Sequence, residues 1–201
     1  MSKFKRTLSI VLALTMLITS ISVCATTVFA EGAVEEATNE IVYWDGTAVA
    51  PTKGEGTKAN PYIIENAMHF SWALHESDAA NAVENIYFSL NSDIYLNDIS
   101  KINWSTGEVE DGYEVNSWTP AYFSGIIEGN GHTVYGMYIN NNPTEYIANN
   151  KGKTGAGLLS DNYWNRAVTI TGLGMDNVYI HHGEVAAVFV ARQDCNNNAA
   201  L

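Results

Sequence analysis

Asp93, Asp98, Glu128 and Asp176 are the carboxylates of this 201-residue chain best placed for proton transfer, because each borders a short apolar run that reads as a strand. Cleavage of a polysaccharide needs two such groups on one outer face, one to give a proton and one to take it or to attack. Glu128 and His132 flank Gly129-Asn130-Gly131, whose tight turn can bring them together. The competing reading is structural: a turn that needs positive φ, with His132 opening the next strand and bonded to backbone.

His181, His182 and Glu184 form the most metal-like cluster. Neighbouring strand residues point to opposite faces, so the two histidines cannot readily share an ion, while His182 and Glu184 lie on one face. No third donor is evident, and a protein-held metal normally has three or four, so no metal site is expected. The chain has no His-Glu-x-x-His, no Gly-x-Ser-x-Gly and no phosphate-binding glycine loop.

Aromatic residues offer a second kind of chemistry. Trp104, Trp118, Tyr122, Tyr135, Tyr138, Tyr163 and Trp164 can contact sugar if several face outward on neighbouring strands. Tyr135 and Tyr138 are out of step with the apolar set Val134, Met137 and Ile139 and so are expected on the solvent side; with Trp164 they are the candidate ligand-binding residues. Against this, Trp118 and Tyr122 can simply close the loop before the Phe123 strand, and Trp72 can pack a helix.

These residues need a β framework to hold them. Tyr62 to Ile64 follow Pro61 and read as a strand. Asn66 caps a helix whose Ala67, Phe70, Ala73 and Leu74 recur at helical spacing, leaving His69, His75 and Glu76 wet. It is the one convincing helix. Short strands then follow at 86–90, 94–96, 123–127, 133–139, 158–159, 168–170, 178–180 and 185–190, separated by Asn- and Gly-rich turns. Tyr43 to Thr47 read as a first strand or turn packed on them.

The start of the chain carries an address. Lys3, Lys5 and Arg6 precede an apolar run diluted by Ser and Thr, and Val28-Phe29-Ala30 closes it, the order of a cleavable signal peptide over 1–30. Cys24 is read as an ordinary position in that run, because Val23 is too bulky for a lipid-attachment box. Residues 31–42 form a polar, flexible leader, and 43–201 hold the fold. Loss of 1–30 removes three cations and no acid, so the formal charge of -12 becomes -15. Such a surface repels phosphate backbones and anionic lipid, which excludes nucleic-acid binding and membrane association after the signal is gone. It suits neutral glycans, cationic partners or calcium, with no cofactor required. Cys195 would be the remaining cysteine, so no internal disulfide holds the mature fold.

Two stretches align with one another. Thr133 to Asn141 match Thr169 to Asn177 at an offset of 36, placing Val134 on Ile170, Gly136 on Gly172, Met137 on Leu173 and Ile139 on Met175. Strand, glycine turn and strand at a fixed period is the signature of stacked β-layers, with 142–153 as an inserted loop; an ordinary β-sandwich or chance is the alternative.

The ordered set GEGTKANPYIIENAMHFSWAL, YFSLNSDIYLN, WTPAYFSGIIEGNGHTVYGMYINN, TGAGLLSDN and VTITGLGMDNVYI resembles the N-terminal region of bacterial surface proteins with GLUG-type repeats, over roughly residues 54–180. That resemblance implies an all-β fold, a right-handed parallel β-helix with one N-terminal capping helix, as the opening module of a longer extracellular, often wall-attached protein. Ala186 to Ala191 keep a strand without the family's turn glycines, and 196–201 supply no capping element, so a C-terminally incomplete β-helix is expected. The expected function is a secreted or cell-surface scaffold or adhesive, glycan-contacting module, touching extracellular glycan or a host or cell-wall surface, without catalytic residues of its own. The rivals are a β-helix polysaccharide hydrolase or lyase using Asp93, Asp98, Glu128 and Asp176, and a structural cap for a longer protein such as a protease.

Overall fold

The computed structural model describes residues 40–77, 79, 85–141, 155–162, 168–182 and 185–193. The chain divides into two units, 1–40 and 41–201, and the elements below belong to the second. The expected signal peptide over 1–30, most of the expected leader, Cys24, the 142–153 insertion, Tyr163, Trp164, Glu184, Cys195 and 196–201 lie outside the described residues.

Strand β1 (Tyr62–Ile64) leads into helix α1 (Ala67–His75). No Gly, Pro or β-branched residue interrupts α1. The Asn66 side chain accepts the His69 N–H at 2.9 Å, satisfying one of the free donors of the first turn. At the other end the amides of Glu76 and Ser77 both donate to Trp72 O, and the helix stops. Ala67, Phe70, Ala73 and Leu74 are buried, as their spacing predicts, and the helix packs on β1 and on β3 (Ile94–Tyr95).

The remaining strands are β2 (Tyr87–Leu90), β4 (Gly125–Glu128), β5 (Thr133–Tyr135), β6 (Tyr138–Asn140), β7 (Leu159–Asn162), β8 (Val168–Thr171), β9 (Gly174–Asp176), β10 (Tyr179–His181) and β11 (Val190–Gln193). They form parallel sheets in the orders β1-β2-β4-β8, β3-β5-β9, β6-β10 and β7-β11. Parallel neighbours cannot be joined by a tight hairpin. Here the chain between β4 and β8 runs through β5, β6 and β7, each of which belongs to a different sheet. Among the described residues the fold is therefore a β-rich architecture of parallel sheets with one α-helix; the helix and most of the strands fall where periodicity leads one to expect them.

Register lines up apolar residues through the sheets. Phe88 lies beside Ile127 and Ile127 beside Ile170; Ile94, Val134 and Met175 form a second row, Ile139 and Ile180 a third, Leu159 and Val190 a fourth. Phe88, Ile94, Ile127, Val134, Ile139 and Leu159 are at most 2% exposed, whereas Ile170, Met175, Ile180 and Val190 in the last strand of each sheet stay half-buried. Burial of one such side chain contributes about 1.5–3 kcal/mol, so these rows are the main source of cohesion.

The same register corrects the internal alignment. Val134 pairs with Met175, 41 positions on, and not with Ile170. Gly136 donates to Asp176 O, and Gly172 instead accepts from Gly131 of the preceding turn. The two stretches resemble one another because both are strand, left-handed residue, strand. The shift arises because β9, which the sequence does not announce as a strand, takes the place opposite β5. The expected strand over 133–139 is likewise two strands, broken where Gly136 turns with φ +78°.

Candidate functional site

Sheet β3-β5-β9 positions the most distinctive outer feature. Ile94, Val134 and Met175 point into the core, so strand alternation sends their successors Tyr95, Tyr135 and Asp176 outward in one row. Tyr43 joins the row through an isolated parallel bridge to Tyr95. The Tyr95 and Tyr135 rings stack at 5.0 Å between centroids and 12° between planes, and Tyr43 meets Tyr95 edge-on at 6.2 Å and 85°. All three tyrosines are half-buried, with their outer parts accessible. Parallel stacking at one strand spacing lets each ring shield a face of its neighbour, a contact worth about 0.5–1.5 kcal/mol beyond area burial.

Carboxylates flank the row. Asp98 accepts from Ser100 N at 2.9 Å and Ser100 Oγ at 2.7 Å, capping the short 3-10 turn Ile99–Lys101, and it lies near the Tyr43 hydroxyl. The Ser100 bonds hold its carboxyl below the usual range. Burial and then the nearby Asp98 charge push the Tyr43 hydroxyl up, and burial with Asp93 does the same to Tyr95. Asp93 accepts from Thr133 N at 3.0 Å and lies 3.2 Å from His132 Nδ1. A carboxylate-paired imidazole in an exposed position has no described nucleophile beside it.

Below the row, a polar core ties the loop after β3 to the sheet. Asn97 is fully buried; its amide donates to Asn116 O and Gly136 O, each at 2.9 Å, and accepts from Asn116 N at 2.8 Å. The bond to Gly136 O is interior and the two to Asn116 are half-buried, and together they satisfy the Asn97 amide and fix the turn from which Asp98 projects.

Each of the four candidate acids has its own partners or sheet neighbours, with none shared between them. Asp93 faces His132, Asp98 faces Ser100 and Tyr43, Asp176 accepts the Asn177 N–H at 2.7 Å, and Glu128 stands between Ser89 and Thr171 in its sheet. The Gly129–Gly131 turn carries Asn130 and Gly131 at positive φ and His132 bonds backbone through its amide to Gly129 O, as expected, while its side chain goes to Asp93 and not to Glu128. A shallow hollow of about 420 Å³ beside Lys101, Asn103, Glu108 and Glu110 holds none of these four acids and none of the row's tyrosines.

Tyr138 departs from expectation. It is 5% exposed, stacked on Tyr179 at 5.1 Å, with its hydroxyl donating to Gly107 O at 3.0 Å. The side chain does leave the sheet on its outer side, but the loop through Gly107 folds over the Tyr138–Tyr179 pair, so near to Tyr179 that a Cβ at 107 would fall 2.1 Å from its ring. Trp118, 2% exposed, donates to Leu158 O at 3.0 Å and packs on Trp44, while Tyr122 is 58% exposed. His181 Nδ1 lies 3.0 Å from Asn140 Oδ1, and among the described residues no group of three or more His, Cys, Asp or Glu could hold a metal.

Tyr43 and Tyr95 are the residues that sequence reasoning missed. The signal available was the pair of triplets Ile94-Tyr95-Leu96 and Val134-Tyr135-Gly136, each placing a tyrosine between inward residues. Comparison with protein-family models, with curated proteins and with solved structures found no match.

Proposed function

We propose that this chain is an exported bacterial surface module, a right-handed parallel β-helix closed at its N-terminal side by α1, which contacts extracellular glycan through its outer tyrosine row and catalyses nothing. The observation that carries the reading is the row itself: Tyr43, Tyr95 and Tyr135 in register, accessible at their rims and hydroxyls. Side chains this large sit on a solvent-facing sheet surface at no benefit to the core, and hydroxyl-bearing rings offer a sugar both apolar rims and hydrogen-bond partners. No two of the four acids share a hydrogen-bond partner, which favours binding over a hydrolysis that asks for two carboxyl groups about 5–10 Å apart around one bond. The β-helix reading is supported by parallel pairing throughout the named strands and by the passage of the chain through separate sheets between paired strands. Export rests on the 1–30 pattern, and amino-terminal sequencing of secreted protein should begin at Glu31.

Glycan-array binding together with reducing-sugar release tests the function. Binding is expected to fall on Tyr95→Ala and to survive Tyr122→Ala, and no sugar should be released. Sugar release abolished by changes at Asp93, Asp98, Glu128 or Asp176 would establish the hydrolase instead.

A second reading concerns assembly. Strands β8, β9, β10 and β11 are edge strands whose inward residues Ile170, Met175, Ile180 and Val190 stay half-buried. Unpaired edges with apolar residues beside them favour the docking of a further β-layer, in keeping with a module of a longer surface protein. Hydrogen exchange of the four strands in the longest natural product would show protection if a layer covers them, and free exchange would refute it.

A further inference from the structure

We infer that the end of the tyrosine row binds a primary ammonium group, and that the glycan it takes is one carrying free amines, a de-N-acetylated hexosamine polymer; this rests on the proposal that the row contacts glycan. The stacking geometry decides what the row can offer. Tyr95 has Tyr135 parallel to one face and Tyr43 against it edge-on, so its ring faces are largely taken by neighbours. Among the described residues Tyr95 is the one ring stacked on Tyr135, and the next register position beyond Tyr135 is filled by Asp176, an exposed carboxylate in place of a fourth ring. Register and strand alternation put Asp176 on the outer face one strand beyond Tyr135, about 4.8 Å further along the sheet.

A ring face with a carboxylate at its edge is a site for a cation. The π-face attracts positive charge, and the carboxylate supplies the counter-charge. One Asp176 oxygen is held by the Asn177 N–H, which keeps the group in place and leaves its second oxygen for a ligand. Asp93 and Asp98 lie along the same row, and the chain's formal charge of -12 adds a long-range field of the same sign. A uronic-acid polymer is repelled by that arrangement, and a neutral glycan can give Asp176 only hydroxyl hydrogen bonds, without the ion pair an ammonium adds. Lysine-rich peptide has the right charge, but an extended peptide gains its main-chain bonds at a sheet edge, whereas the row crosses the face of its sheet and presents rims and hydroxyls in a line.

Isothermal titration of the exported chain with a glucosamine hexasaccharide, its fully N-acetylated counterpart and hexalysine tests this. The free-amine sugar should bind more tightly than the acetylated one by about 3- to 10-fold at low salt, the range of one cation–π contact with an ion pair. Asp176→Asn should erase that preference while leaving the acetylated sugar's affinity unchanged; Tyr135→Leu should erase it and weaken both sugars, and Tyr135→Phe, which keeps the ring face, should retain it. Unchanged thermal unfolding of Asp176→Asn separates a lost contact from a lost fold. Equal binding of both sugars, abolished in both by Tyr95→Ala, would overturn the ammonium site and leave the glycan row standing. Binding of neither sugar would overturn both. Hexalysine binding as tightly as the amino sugar, with the same loss on Asp176→Asn, would reassign the site to basic peptide and refute the glycan assignment.

Discussion

Substituting Gly136 by alanine should reveal how closely successive layers approach beneath the tyrosine row. Gly136 adopts φ +78°, and a Cβ there would stand 2.7 Å from Asn97 O and 2.9 Å from Asn97 N, both backbone atoms that cannot rotate away. Gly131 is the matched control, with φ +86° and nothing within 4 Å of its Cβ. A left-handed conformation costs an L-residue about 1–2 kcal/mol, so Gly131→Ala should lose about that much stability. Gly136→Ala carries the same conformational cost and must also displace a buried segment whose Asn97 amide bonds Gly136 O and Asn116. Overpacking of that kind adds about 1–3 kcal/mol, for a total of about 2–5 kcal/mol. At about 2–4 °C per kcal/mol for a chain of this size, the two variants should differ in Tm by roughly 2–12 °C, with Gly136→Ala the lower. Urea denaturation followed by tryptophan fluorescence measures the same difference independently, since Trp118 and Trp44 are buried. Equal losses in the two variants would refute the close contact between layers, and a larger loss in Gly131→Ala would refute the turn assignment itself.

Asn66→Ala removes the cap that accepts His69 N–H and should cost about 1 kcal/mol, seen as a lower urea midpoint with unchanged m-value. Ile127→Ala, at a site 1% exposed between Phe88 and Ile170, should cost about 2–5 kcal/mol, read from the same denaturation curves; a loss under 1 kcal/mol would contradict the inward register of β4. Asp98 is held below its unfolded pKa by Ser100, so its stabilising effect is present above the ordinary carboxyl range and fades as pH falls through the folded value. Wild-type and Asp98→Ala melting curves should therefore differ at neutral pH and converge in acid, and a gap that widens in acid would reverse the assignment. Tyr43 and Tyr95 are displaced upward, first by burial and then by Asp98 and Asp93; phenolate absorbance should show two groups ionising above the ordinary tyrosine range, with Tyr43→Phe and Tyr95→Phe each removing one late step.

Local rules made much of the fold legible. Asn66 and the Ala67, Phe70, Ala73, Leu74 spacing marked α1 because capping and helical periodicity act within one or two turns of chain. Apolar triplets bounded by Asn and Gly marked most strands for a similar reason. Layer pairing was less legible: the 36-residue alignment competed with the true offset of 41 because a glycine between two short strands looks alike wherever it occurs. Only the parallel partner distinguishes Gly136 from Gly172, and that partner is distant in sequence.

The site divides along the same line. Composition alone established the acidity on which the expectation of cationic or neutral ligands rests, since charge is a sum over residues and needs no geometry. The tertiary structure decided which tyrosines form a surface. Alternation placed both Tyr135 and Tyr138 outward, but the loop through Gly107 buries Tyr138 under a backbone carbonyl. Tyr43 and Tyr95, separated from Tyr135 by 92 and 40 positions, reach it only because parallel register brings three distant strand segments side by side. Side-chain direction is a property of the strand and can be read locally; what lies over or beside that side chain is a property of the packed chain.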